Sequence, residues 1–81
     1  MAPMPDLEVD ARGLLCPLPI LRLARAIRRT PPGTVALLLA TDPAAVVDVE
    51  AFCRESGNVL LGTEKEGALF RFRVRKGATG L

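Results

Sequence analysis

Histidine, tryptophan, tyrosine and glutamine are missing from this chain of 81 residues, which has a single asparagine and two cysteines. Each absence narrows the chemistry. Without histidine there is no Cys–His or Ser–His pair, which argues against hydrolysis or acyl transfer by a nucleophile and its base. Two cysteines outside metal-ligand spacing, again without histidine, argue against zinc. Nor do Cys16 and Cys53 form a C-x-x-C redox motif. No phosphate loop, dinucleotide fingerprint or glycosidase-like pair of carboxylates is present, so no cofactor is expected. Lacking Trp and Tyr, the core must be aliphatic with the three phenylalanines. A net charge of +2 is too small to argue for nucleic acid. No apolar run is long enough to span a bilayer. Met1 to Pro5 has no apolar stretch behind it, so no signal peptide is expected, and a cytoplasmic, reducing setting is the simplest assumption.

What remains is 49% hydrophobic, the composition of a globular domain near the lower size limit for one core. We expect a single domain over residues 6–77, with tails at 1–5 and 78–81. Leu7 and Val9 alternate with acidic residues, as in a half-buried strand. Arg12-Gly13 makes a turn, with Gly13 suited to a positive φ. A first helix runs from about Pro17 to Thr30, with Ile20, Leu23, Ala24 and Ile27 as its buried stripe. Pro31-Pro32-Gly33 stops it. Thr34 to Ala40 is almost wholly apolar and reads as a central strand. Asp42 is a good N-cap for a second helix with Pro43 at its first position. Ala45, Val49, Phe52 and Cys53 form its stripe, and Gly57 ends it. Val59 to Lys65 and Leu69 to Lys76 form a hairpin around Glu66-Gly67. Phe70, Phe72 and Val74 face inward there, while Arg71, Arg73 and Arg75 face solvent. The order β-α-β-α-β-β gives an α/β (α+β) fold: a two-layer sandwich, with a four-stranded mixed sheet and two helices on one face.

The chemistry gathers at Cys16-Pro17-Leu18-Pro19. Proline suits the first turn of a helix, so Cys16 lies at or next to the N-cap. The helix macrodipole there favours thiolate. Pro17 and Pro19 remove two donors and stiffen the turn, leaving the Leu18 N–H as the main backbone donor. The expectation is a moderately lowered thiol pKa. A lone activated thiol without a base suits attack of sulfur on sulfur, which needs only a thiolate and access. Arg12 is either a charge partner of the sulfur or a solvated turn residue. Asp42 lies at the same sheet edge as Cys16, where the sites of parallel sheets gather. Cys53, on an apolar stripe, reads as structural.

These residues resemble the TusA-like, or SirA-like, sulfur carrier proteins. The family's mark is a Cys-Pro-x-Pro motif opening the first helix, here Cys16 to Pro19, preceded by Asp10 and Gly13-Leu14. The likeness continues through Thr41-Asp42-Pro43-Ala44, Asp48 and Phe52-Cys53 to Arg75-Lys76-Gly77. It implies a fold like the C-terminal domain of translation initiation factor three, with the fourth strand antiparallel to the rest. It also implies that Cys16 accepts sulfur from a cysteine desulfurase or rhodanese-like donor and passes the persulfide to an acceptor protein. End points in the family include 2-thiouridine in tRNA, molybdenum cofactor sulfur supply and sulfur oxidation. Two positions depart: many tRNA-thiolation members carry Glu where this chain has Leu18, and His where it has Asn58. Leu18 adjoins the sulfur, so its change bears on the identity of the partner and not on the carrier chemistry.

A second reading is a non-catalytic module that docks protein or RNA through its arginine faces. Arg22, Arg25 and Arg29 form one such face and Arg71, Arg73 and Arg75 the other. A third reading is a redox protein with Cys16 and Cys53 within disulfide range. A chain this small is expected to act as a monomer.

Overall fold

Two alternating patterns and two helical stripes close over one core. The structure, a computed structural model, describes residues 4–78. The expected tails extend to 1–3 and 79–81, which lie outside the described residues. The order is β1 (Leu7–Ala11), α1 (Leu18–Arg28), β2 (Val35–Ala40), α2 (Ala45–Ser56), β3 (Val59–Glu66) and β4 (Leu69–Arg75). The sheet order is β1-β2-β4-β3. β1 pairs parallel with β2, while β4 runs antiparallel to both β2 and β3. The fold is thus the α+β sandwich that the element order implies, with β4 opposed to its three companions.

The central run of β2 is buried at almost every position because it has a strand on each side. Ala36, Leu38 and Ala40 meet Val9 and Ala11 of β1, Phe70, Phe72 and Val74 of β4, and the helices. In α1 the fully covered positions are Pro19, Leu23 and Ile27, spaced by four; Ile20 and Ala24 sit at the edge of that stripe. In α2 they are Ala45, Val49 and Cys53, with Phe52 partly covered. Burying a side chain such as Leu23 or Ile27 contributes about 1.5–3 kcal/mol, so these few contacts decide which helix face turns inward.

Both helices are shorter at their starts than the sequence suggests. α1 begins at Leu18 with Pro17 as its cap, because both prolines lie ahead of the first intrahelical donors. α2 begins at Ala45 rather than Pro43. Asp42 does not cap it; the Ala45 N–H donates to the Asp42 carbonyl at 2.9 Å and forms a turn that leads into the helix. Gly57 closes α2 in the left-handed conformation at φ 80°.

The second sheet face departs from a simple solvated row. Arg71 and Arg73 are half-buried, and Arg75 is exposed. In register beside them stand Leu39 and Leu37 of β2. Their guanidinium groups pair with Glu66 and Glu64, so this face is a mixed-charge lattice over two leucines. It is not the bare basic stripe that RNA docking would use.

Lys76 ties the end of the chain to α1. Its backbone pairs with Gly33 and Thr34, each at 2.8 Å. Its ammonium donates to Thr30 O at 2.6 Å and Arg28 O at 3.3 Å, at and just past the end of the helix. A cation at a helix C-terminus meets the negative end of the dipole. Replacing Lys76 by Met is expected to lower stability by about 1–2 kcal/mol. Urea unfolding, followed by circular dichroism because the chain has no Trp or Tyr, should show a lower midpoint at unchanged slope. An unchanged midpoint would leave this tie without energetic weight.

Candidate functional site

Parallel pairing of β1 with β2 puts their C-terminal ends side by side, Ala11 opposite Ala40. The loop into α1 and the loop into α2 therefore leave the sheet together. Gly13, at φ 79°, turns the first loop back over the second. Its N–H donates to Thr41 Oγ1 at 2.9 Å. Three residues on, the Cys16 N–H donates to Asp42 Oδ2 at 2.7 Å. The other oxygen of the same carboxylate accepts the Ala44 N–H at 3.0 Å. One side chain thus spans both loops. These two donors hold the Asp42 carboxyl below its usual range, Cys16 N–H first and Ala44 N–H second.

Cys16 is exposed, and the peptide bond between it and Pro17 is cis. Its Sγ donates to Asp48 Oδ2 at 2.8 Å. Asp48 comes from the first turn of α2. The result reverses the expected thiol chemistry. Cys16 is pushed above an ordinary cysteine, first by the hydrogen bond to Asp48, then by desolvation, then by the charges of Asp48 and Asp42. A hydrogen bond that the thiol donates favours the neutral form, and so does a nearby negative charge. The helix dipole at an exposed position is weak and falls off within one turn, so the carboxylate in direct contact prevails.

One further expectation is corrected, and the choice left open at Arg12 goes against the sulfur. The Leu18 N–H does not serve the sulfur; it donates to Leu15 O at 2.8 Å and closes the turn before α1. Arg12 does not reach it either. Its guanidinium holds Asp10 at 2.9 and 3.0 Å and draws the Asp10 carboxyl down to about 2. Arg22 donates to the Asp10 carbonyl at 3.1 Å. The arginines at this end of the fold are therefore engaged around Asp10.

Asp48 had no assigned role from the sequence, although it belongs to the motif that carries the family likeness. The available signal was its place: a carboxylate in the first turn of the helix that begins at the Cys16 edge. Thr41 was missed in the same way. Cys53 is buried in the core, where desolvation pushes its thiol up to about 11. Both cysteines are free.

Large apolar side chains are exposed on the Cys16 turn and on the two helices. Leu15, Leu18, Leu21 and Val47 are 70%, 50%, 57% and 67% exposed. Beside them runs a groove of about 470 Å³ lined by Leu14, Leu18, Leu21, Arg22, Ala24, Arg25 and Arg28. Among the described residues no cluster of His, Cys, Asp or Glu could hold a metal ion, and no helix is long and apolar enough to cross a membrane.

The loop tie has a defined acid limit. Because the folded Asp42 pKa is depressed, its contribution is complete above the ordinary aspartate value of about 3.9. It is lost as pH falls through the lower folded value. The Cys16 amide resonance is expected to titrate below pH ~3.9. A midpoint at or above that value would contradict the Asp42–Cys16 bond.

Comparison with known proteins gives a consistent result. The family described as sulfurtransferase TusA matches residues 7–76. A sulfur carrier protein TusA from Allochromatium vinosum is 44% identical over 71 residues, covering 88% of this chain and 93% of that protein. The crystal structure of a SirA-like protein from Desulfitobacterium hafniense superposes with a TM-score of 0.69 at 20% identity, covering 88% of this chain and 97% of that one; at that identity it speaks to the fold alone. With a Cys-Pro-x-Pro turn at the shared sheet edge and a family match across the whole β-α-β-α-β-β unit, the chain belongs to the TusA sulfurtransferase family.

Proposed function

We propose that Cys16 carries sulfane sulfur as a persulfide, taking it from one protein and giving it to another. The observation that carries this reading is the placement of Sγ: exposed, at the lip of a turn stiffened by Pro17 and Pro19, with no histidine in the chain to serve as a base. Such a thiol suits exchange between sulfurs, which requires access and deprotonation and nothing else from the protein.

Each neighbouring residue has a part in this reading. Asp42 and Gly13 hold the turn in place through the second loop. Pro17 and Pro19 restrict its motion. Leu18, with Leu15 and Leu21, offers apolar contact to donor or acceptor. Arg12 acts indirectly, by fixing Asp10 where β1 meets the turn. The donor would be a cysteine desulfurase or a rhodanese-like protein. The acceptor would serve tRNA 2-thiouridine, molybdenum cofactor or sulfur oxidation chemistry. The engaged Arg71 and Arg73 support a protein rather than an RNA partner. A reducing, cytoplasmic setting suits a carrier whose working group is a free thiol.

The test is intact mass after incubation with a cysteine desulfurase and free cysteine, on the native chain and on Cys16→Ser and Cys53→Ser. A rhodanese with thiosulfate serves as a second donor. The expected outcome is a gain of one or more sulfur masses, reversed by reductant, retained in Cys53→Ser and lost in Cys16→Ser. Loading that persists in Cys16→Ser, or no loading from either donor, would overturn the proposal.

A further inference from the structure

Sulfur carriage at Cys16 does not by itself account for the contact between its thiol and Asp48. A carrier reading from the first helix alone would set the sulfur in a positive field. Instead the charged groups that act on Sγ are both negative: Asp48 from α2 and Asp42 from the loop before it. On the β1–α1 side, Arg12 and Arg22 are taken up by Asp10. Asp48 is half-buried in the first turn of α2. Its carboxylate oxygen is the acceptor 2.8 Å from the thiol.

We propose that Asp48 restrains Cys16, holding the unloaded sulfur as a hydrogen-bonded thiol that reacts readily only with a partner supplying a hydrogen-bond donor or a cation to the Asp48 carboxylate. The inference rests on Cys16 being the reacting atom. The transfer it governs is Cys16–SH + R–S–SH → Cys16–S–SH + R–SH, without net oxidation. Sγ bonds to the terminal sulfur of the donor persulfide. The donor S–S bond breaks with its electron pair on R–S. Once the partner engages Asp48, the thiol proton is released from the Sγ–carboxylate bond and ends on the departing donor sulfur, R–S. The restraint gives the carrier selectivity: small disulfides and oxidants bring nothing to Asp48 and meet a poorly nucleophilic thiol.

Iodoacetamide alkylation of the folded chain, followed by intact mass from neutral into alkaline pH, tests this without any sulfur donor. In Asp48→Asn the midpoint should fall by about one unit, and the rate at neutral pH should rise roughly tenfold. Glu50→Gln removes an equal charge from an exposed position of the same helix and should leave the midpoint where it is. Cys53 must stay unmodified throughout, which reports an intact core. If Asp48→Asn does not fold, Asp48→Ser, a residue suited to helix starts, carries the same expectation. A midpoint that does not fall, or falls no further than in Glu50→Gln, would overturn the restraint while leaving sulfur carriage standing. Failure of sulfur loading, read separately, would overturn carriage while leaving the thiol–carboxylate contact standing.

Discussion

The Asp42 carboxylate holds the functional end of this fold together. Its two oxygens accept N–H groups from two different loops, Cys16 on one and Ala44 on the other. Gly13 and Thr41 add a second strut between the same loops. These bonds are possible because β1 and β2 run parallel and end level, at Ala11 and Ala40. An antiparallel pairing of those strands would send the loops to opposite ends of the sheet. The site is therefore a consequence of topology first and of side chains second.

Once the loops are joined, α2 delivers Asp48 to the sulfur, and the character of the site changes. A cysteine at the start of a helix is ordinarily read as activated, since the dipole favours thiolate. Here a carboxylate in direct contact outweighs a dipole felt from an exposed position, and the thiol is pushed above an ordinary cysteine. Exposure and restraint are separate properties of the same atom. The prolines and exposed leucines make the sulfur reachable, while Asp48 governs when it reacts. A protein that must hand on a labile sulfur, and not lose it to bystanders, benefits from having the two controlled apart.

Much of the fold could be seen in the residues. The alternation of Phe70, Phe72 and Val74 with arginines, the apolar run of β2 and the glycine and proline stops all express local physics at local range. The start of α2 lies past the ordinary capping signal of Asp42-Pro43; in the folded chain the Asp42 carboxylate keeps the local Ala44 N–H and is also drawn across to Cys16. The partners of the sulfur were less visible for the same reason. Asp48 lies thirty-two residues from Cys16 in sequence, and Arg12 finds Asp10, two residues away, before it can find the thiol. Which carboxylate meets which donor is decided by how the two loops dock, and no pattern within either loop contains that information. Lys76 is similar: its contact with the end of α1 spans forty-six residues.

The central claim is that one atom, Cys16 Sγ, carries the sulfur. Its most direct test is to locate that sulfur. The chain would be loaded by a desulfurase from cysteine labelled with heavy sulfur, the persulfide trapped by alkylation, and the peptides mapped by tandem mass spectrometry. The account predicts heavy sulfur on the peptide containing Cys16 and none on the peptide containing Cys53. Label on Cys53, or on neither cysteine, would contradict it.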